Sequence, residues 1–99
     1  MTITKKREGN RLTIAPEGRL DATTAPELSA VLDAELDGVK ELLIDMENLA
    51  YMSSAGLRVI LTAQKRMNRQ GRMTVAHVCD DIMDVFKMTG FLSILTIRN

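Results

Sequence analysis

The sequence predicts a single α/β domain over residues 1–99: a mixed, mostly parallel β-sheet with packed helices. After an initial hairpin, short apolar runs alternate with segments of helical periodicity, in the order β-β-α-β-α-β-α-β. Such alternation is typical of parallel strands joined by right-handed crossovers. The 99 residues, 45% hydrophobic and 26% charged, are enough for one globular domain with its own core.

The first two strands are predicted over residues 2–7 and 11–16. Gly9 and Asn10, between them, tolerate the positive φ angles that a tight hairpin turn requires. Ile3 in the first strand, and Leu12 and Ile14 in the second, stand between polar residues, so we expect the two strands to form a half-buried edge of the sheet.

The first helix is predicted to begin at a capping box, Thr24-Ala-Pro-Glu27. In that motif the Thr24 hydroxyl accepts from the Glu27 N–H while the Glu27 carboxylate reaches back. Gly38 is expected to end the helix in a left-handed conformation. Four apolar residues at helical spacing form the stripe that we expect to be buried: Leu28, Val31, Leu32 and Leu36.

Glu41–Asp45 is predicted to be a central strand covered on both faces, because three successive residues are apolar. Residues 46–52 connect this strand to a second helix, which runs from about Ser54 to Arg69. Gly71 follows as the stop signal of that helix.

The last third of the chain is predicted to contain a strand over residues 73–76 and a helix capped by Asp80. Thr89-Gly90 ends that helix, and residues 94–97 form a last strand. The third helix is expected to direct three apolar residues into the core: Ile82, Val85 and Phe86.

Composition argues against several functions. Thirteen Lys+Arg balance thirteen Asp+Glu, and only three residues are aromatic, so a basic, base-stacking surface for nucleic acid is not expected. A single cysteine, Cys79, excludes an internal disulfide and fits a reducing compartment. No apolar run exceeds four residues, whereas a membrane-spanning helix needs about 20. We therefore expect a cytoplasmic protein with no membrane contact.

The sequence does not predict catalysis. Tyr51–Gly56 lacks the first glycine of a nucleophile elbow, and phosphate-cradling glycine motifs are absent. His77 and Cys79 could form a thiol–imidazole pair, but such residues are more often a partly buried histidine and a small core residue. We expect no metal site, no cofactor and no enzyme activity.

Two adjacent serines, Ser53 and Ser54, lie where the loop after the third strand leads into the second helix. Ser53 or Ser54 is expected to be the helix N-cap, a role in which Ser→Ala costs about 1 kcal/mol. The same position suits a phosphoserine, because a helix amino terminus offers unpaired N–H groups and a positive dipole end. Gly56 would keep the first turn open to a partner's backbone.

Several segments together resemble the STAS domain family, and specifically its stand-alone bacterial anti-sigma factor antagonists. The resemblance implies a mixed sheet with packed helices and a partner-switching function. It further implies binding to an anti-sigma factor serine kinase of the GHKL type, phosphorylation by that kinase and resetting by a serine phosphatase. The segments that carry the resemblance are Gly18–Ala22, Thr24–Glu27, Leu42–Asp45, Tyr51–Leu57 and Thr89–Phe91.

The family motif has its phosphorylated residue two positions before the glycine of Gly-Leu, which in this chain is Ser54. Ser53, the second choice, stands where many phosphorylated members have aspartate, and Ala55 replaces a frequent Ser or Thr. Asp21 matches an acidic position that lies near the acceptor. The resemblance and the position of the loop together predict these partner-binding residues: Asp21, Met52, Ser53, Ala55, Gly56, Leu57 and Arg58.

Alternatives stay open at this point. Met52 could instead fill a gap in the core, and Leu57 could belong half to the core. The chain could be an unphosphorylated STAS accessory subunit of a transporter or other large assembly, or a small-molecule or nucleotide sensor that uses the same loop. We expect a monomer, with weak dimerisation as the alternative.

Overall fold

The computed structural model describes residues 1–99 as six strands, three α-helices and one 3-10 turn. The strands are β1 (Thr2–Glu8), β2 (Arg11–Leu20), β3 (Glu41–Asp45), β4 (Leu49–Met52), β5 (Arg72–Ala76) and β6 (Ile97–Arg98). The helices are α1 (Ala25–Glu35), α2 (Ser54–Gln70) and α3 (Asp80–Thr89), and the 3-10 turn is Phe91–Ser93. None of these helices combines the length and the apolar character needed to cross a bilayer.

The six strands form a mixed, mostly parallel sheet in which β2 has three neighbours. The order along the sheet is β1-β2-β3-β5-β6, with β1 antiparallel to β2 and the other pairs parallel. The ten-residue β2 pairs with β3 through its first half and with β4 through its second half, with an irregularity between Gly18 and Arg19. The predicted fold class is confirmed, and this division of β2 brings the end of β4 to the end of β2.

The core lies between one face of the sheet and the helices. Alternate residues of the central strands are buried there: Leu12, Ile14, Leu42, Ile44, Met73 and Val75. Thr13, Leu43 and Thr74 point to the other face and are only partly buried. The expectation that β3 is covered on both faces is therefore wrong, because the neighbours of Leu43 on the second face are threonines and no helix packs there.

Strand β4 is absent from the predicted order, which the structure corrects to β-β-α-β-β-α-β-α-β. Residues 46–52 were expected only to connect the third strand to the second helix. The strand was missed because its partner is the second half of β2, about thirty residues earlier in the chain, and four residues carry little periodicity of their own.

The second strand was predicted to end at residue 16, but β2 continues to Leu20. The last strand was expected over residues 94–97, but a 3-10 turn covers Phe91–Ser93 and the strand is only Ile97–Arg98. Helices α2 and α3 lie where the sequence predicts them, and Gly90 ends α3 in the left-handed conformation with φ +78°. The predicted cap of α3 is wrong: Cys79 is at the N-cap position and makes no side-chain cap hydrogen bond, and Asp80 is the first residue of the helix.

The predicted capping box at α1 is also wrong. Thr24 is at the N-cap position, but its hydroxyl makes no cap hydrogen bond, and the Glu27 N–H donates to the Thr24 carbonyl oxygen at 3.0 Å. The Thr24 hydroxyl instead forms hydrogen bonds with the backbone of Asp21 and Arg19, in the turn before the helix. Helix α1 ends at Glu35, three residues before Gly38, which has φ +77°.

Candidate functional site

The candidate site lies where β2 and β4 end side by side. Leu20 pairs with Met52 in register, and the Ser53 N–H donates to the Leu20 carbonyl oxygen at 2.9 Å. Asp21 follows β2 at this edge, and Ser54 opens α2 immediately after β4. Asp21 and the two serines, all of them predicted site residues, are therefore neighbours in space.

Asp21 holds the turn between β2 and α1. Its Oδ1 accepts from the Thr23 hydroxyl at 2.7 Å, the Thr23 N–H at 3.0 Å and the Thr24 N–H at 3.1 Å. Thr24 Oγ1 accepts from the Asp21 N–H at 2.9 Å and donates to the Arg19 carbonyl oxygen at 2.7 Å. The hydrogen bonds from Thr23 and Thr24 hold the pKa of Asp21 below its usual range. Asp21 is therefore ionised at neutral pH, and its hydrogen bonds stabilise the turn.

The two serines have different environments. Ser53 is at the N-cap position of α2 with extended backbone angles, φ −94° and ψ 177°, but makes no cap hydrogen bond. Its Oγ is buried and has no hydrogen-bond partner in the protein. Ser54 is the first residue of the helix and is exposed. Of the two hydroxyls, that of Ser54 is the one accessible to another protein.

Three predicted contact residues lie beneath the surface. Met52 and Leu57 are buried members of the core. A Cβ on Gly56 would lie 2.7 Å from Leu20 Cγ and 3.1 Å from Met52 Cγ. The expectation that Gly56 keeps the turn open to a partner is wrong, because its missing side chain lets α2 pack on β2 and β4. For Met52, the structure supports the alternative of core packing.

The other predicted residues face solvent to different degrees. Arg58 is exposed, one helical turn after Ser54, whereas Asp21, Ser53 and Ala55 are partly exposed. The surface around the loop is therefore formed by Ser54 and Arg58, with Asp21 and Ala55 at its margin.

An arginine–tyrosine stack at the same edge was missed in the sequence. The Arg19 guanidinium lies 4.1 Å from the centroid of the Tyr51 ring, and these residues are paired in the β2–β4 register. The ring is 39% exposed. In the sequence, Arg19 precedes the apolar Leu20 and Tyr51 precedes the apolar Met52. This pattern would have placed Arg19 and Tyr51 on the same exposed face only if both segments had been recognised as strands.

His77 and Asp45 form a second polar cluster, after β5 and at the end of β3. His77 Nδ1 is 2.9 Å from Asp45 Oδ1, and His77 has φ +56°. The hydrogen bond to Asp45 and its negative charge raise the pKa of His77. Burial raises the pKa of Asp45, but hydrogen bonds from His77 and the Glu47 N–H outweigh it, so the pKa is lowered.

This cluster corrects the expectation for His77 and Cys79. Both residues are exposed, so His77 is not partly buried and Cys79 is not a small core residue. The His77 Nδ1 forms a hydrogen bond with Asp45. Ligand atoms of Asp45, Glu47 and His77 lie within 4.8 Å of one another, and these three could contact a cation. The Asp45–His77 ion pair accounts for the arrangement without one.

The family comparison and two curated relatives indicate one family. The STAS domain family matches residues 2–99. BtrV of Bordetella bronchiseptica is 33% identical over 101 residues, spanning 100% of this chain and 87% of its own length. The anti-sigma-B factor antagonist of Listeria monocytogenes is 34% identical over 99 residues, spanning 96% of this chain and 85% of its own length.

Solved structures have the same fold. An anti-sigma factor antagonist from Mycobacterium paratuberculosis superposes with a TM-score of 0.88 at 18% identity, covering 97% of this chain and 83% of its own. SpoIIAA in its unphosphorylated form gives 0.79 at 16% identity, over 99% of this chain and 88% of its own. The phosphorylated form of the Bacillus protein gives 0.77 at 17% identity, over 99% and 92%.

Proposed function

The chain belongs to the STAS domain family, and from that premise we propose that it is an anti-sigma factor antagonist switched by phosphorylation of Ser54. In this function the unmodified protein binds a serine-kinase anti-sigma factor of the GHKL type. The kinase phosphorylates Ser54, the complex dissociates, and a serine phosphatase restores the binding form. The observation that supports the proposal is the exposed Ser54 at the start of α2, next to the turn that Asp21 stabilises by hydrogen bonds.

The named relatives support the first half of this proposal. The Listeria relative is an anti-sigma-B factor antagonist, and the chain spans most of its length. SpoIIAA, which shares the fold, has been solved with and without phosphate. A protein with this function would act in the cytoplasm and need no cofactor of its own.

Accessibility favours Ser54 over Ser53 as the acceptor. Phosphoryl transfer requires the attacking oxygen to lie roughly in line with the leaving group of the nucleotide. The Ser53 oxygen is buried, so a kinase could reach it only after the start of α2 had unfolded. Ser54 needs no such rearrangement.

The position of Ser54 suits a modification that changes binding without unfolding the protein. A phosphate adds a charge of about −1.5 to −2 at neutral pH, and the first N–H groups of a helix have no acceptor within the helix. The positive end of the helix dipole and the exposed Arg58, four residues later on the same helical face, favour an anion there. The added charge therefore affects mainly what docks on the loop.

The buried and exposed residues of the loop would have separate roles in binding. Ser54 and Arg58 would contact the kinase directly, whereas Met52, Gly56 and Leu57 hold the first turn of α2 in place from beneath. Asp21 would hold the neighbouring turn and contribute one negative charge at the margin.

Calorimetric titration with the serine-kinase anti-sigma factor of the same cell tests the switch. We expect Ser54→Asp to weaken binding about 30- to 150-fold, which corresponds to about 2–3 kcal/mol, whereas Ser54→Ala should bind like the wild type. Ser93→Asp adds the same charge at an exposed serine of the 3-10 turn and is the matched control. Equal affinities for the two Ser54 variants would contradict a charge switch.

Mass spectrometry identifies the acceptor. After incubation with the kinase and ATP, phosphate is expected on Ser54, and Ser54→Ala should abolish the modification while Ser53→Ala retains it. Phosphate on Ser53 would contradict the assignment. A chain that binds no kinase but copurifies with a transporter would support the accessory-subunit alternative.

A further inference from the structure

The face of the sheet opposite the helices is open. Thr13, Leu43 and Thr74 lie side by side across β2, β3 and β5 on this face, and each is only partly buried. Because no helix covers them, this open face is a surface on which another sheet can pack.

A row of alternating charges crosses the open face at the amino-terminal ends of the parallel strands. The strand registers pair Glu8 with Arg11, Arg11 with Glu41, and Glu41 with Arg72. Arg11 Nε lies 2.9 Å from Glu41 Oε2, and Arg72 Nε lies 3.5 Å from Glu41 Oε1. The side chains of Arg11 and Arg72 are 73% and 78% exposed, so this charge row can interact with charges of another molecule.

We propose that the open face binds the open face of a second copy of this chain, about a two-fold axis parallel to the strands and between β2 and β3. This operation turns the faces toward each other and reverses the order of the strands. Glu8 of each copy then faces Arg72 of the other, and Arg11 of each faces Glu41 of the other. All four contacts are between opposite charges.

The alternation is what makes the row complementary to itself. Four charges in the order negative, positive, negative, positive become positive, negative, positive, negative when reversed. Reversing any single charge of the row creates two like-charge pairs in the dimer, one for each copy, which costs binding free energy. Charge complementarity therefore selects a second copy in this orientation.

The next row of the open face allows the same packing. In the proposed dimer Leu43 faces Thr13 of the second copy, and Lys6, which pairs with Glu8 at 3.1 Å, faces Thr74. No like charges are opposed in this row, and its central side chains, Thr13 and Leu43, are uncharged. Packed sheets lie about 10 Å apart with strand directions within about 30°, so the aligned geometry is an ordinary one.

The dimer leaves the proposed phosphorylation site free. The charge row lies at the amino ends of β2, β3 and β5, whereas Ser54 follows the carboxyl end of β4 on the first turn of α2. The helices pack on the other face. Self-association and binding at Ser54 are thus separable, and each copy of a dimer could still bind a kinase.

Sedimentation velocity over a range of protein concentrations and two salt concentrations tests the proposal. We expect the wild type to dimerise reversibly, and more weakly at high salt because the contacts between exposed charges are screened. Arg11→Glu or Glu41→Arg should each weaken dimerisation at least about tenfold, because each places two like-charge pairs in the interface. Lys5→Glu, which breaks the exposed Lys5–Glu35 pair at α1, is the matched control and should dimerise normally.

Mixing the two charge-reversal variants gives the sharpest result. Neither associates well with itself, but the two acids of one variant face the two arginines of the other, so the mixture should form a heterodimer. The double variant Arg11→Glu/Glu41→Arg restores opposite charges at all contacts and should dimerise by itself. Thermal denaturation of each variant shows that it is folded.

A wild type that is monomeric at millimolar concentration would overturn the proposal. So would folded reversal variants that dimerise like the wild type, or a mixture that associates no better than its components. These outcomes concern the open face alone, because the kinase titrations with Ser54 variants decide the proposed function independently.

Discussion

Gly56 on α2 packs directly against Leu20 on β2: a methyl group added to Gly56 would lie 2.7 Å from Leu20 Cγ. Overpacking a core costs about 1–3 kcal/mol, whereas replacing glycine by alanine in a helix gains up to about 1 kcal/mol. We expect Gly56→Ala to lower the free energy of unfolding by about 1–2 kcal/mol, measured by urea denaturation. In a Leu20→Val background the same substitution should cost less. An equal cost in both backgrounds would contradict the close contact.

The two serines should respond differently to alanine. A buried hydroxyl without a partner is destabilising, so Ser53→Ala is expected to be neutral or to stabilise the protein by up to about 1 kcal/mol. Ser54 is exposed and is not the N-cap, so Ser54→Ala should change stability by less than about 0.5 kcal/mol. A loss near 1 kcal/mol at either serine, measured by denaturant unfolding, would indicate a cap bond that the structure lacks.

Asp21 should make the protein sensitive to acid. Its pKa is lowered in the folded state from 3.8, first by the hydrogen bond from the Thr23 hydroxyl. Its contribution to stability is therefore fully present above the unfolded value and is lost as the pH falls through the lowered folded value. Carboxyl NMR titration should give a pKa for Asp21 below 3.8, and Thr23→Val should raise it. Identical midpoints in both proteins would rule out this hydrogen bond as the cause.

The His77–Asp45 pair should stabilise the fold over a limited pH range. Because folding raises the pKa of His77, the protonated imidazole contributes fully to the stability of the fold below pH 6.5. This contribution is lost as the pH rises through the pKa that His77 has in the folded protein. Because folding lowers the pKa of Asp45, the ionised carboxylate contributes fully to stability above pH 3.8. This contribution is lost as the pH falls through the pKa that Asp45 has in the folded protein.

The pair is therefore most stabilising between about pH 3.8 and 6.5. Imidazole NMR titration is expected to give a pKa above 6.5 for His77, and Asp45→Asn should lower it. An unchanged titration would show that Asp45 does not act on the ring.

Elements with a strong local pattern could be predicted from the sequence. Helix α2 repeats apolar residues at helical spacing and ends at a glycine, and Gly9, with φ +63°, forms the predicted turn between the first two strands. Such patterns depend on residues within a few positions of one another, which is why the start of α2 at Ser54 was predicted correctly.

Elements that depend on distant contacts could not be predicted. Strand β4 exists because Leu49–Met52 pairs with the second half of β2, and neither segment shows this by itself. Likewise, the spacing Thr24–Glu27 is that of a capping box, but the nearby Asp21 N–H and Arg19 carbonyl compete for the Thr24 hydroxyl.

The sequence by itself determined the family, the fold class and the loop that begins at Ser53-Ser54, because these follow from motifs and periodicity along the chain. Only the tertiary structure decided that the Ser53 hydroxyl is buried, that Gly56 is a packing residue and that one face of the sheet is open. Burial depends on which segments meet, and the register of parallel strands is set by contacts between residues far apart in the chain. The charge row belongs to the second group, because four charges from four strands form one row only when the sheet has assembled.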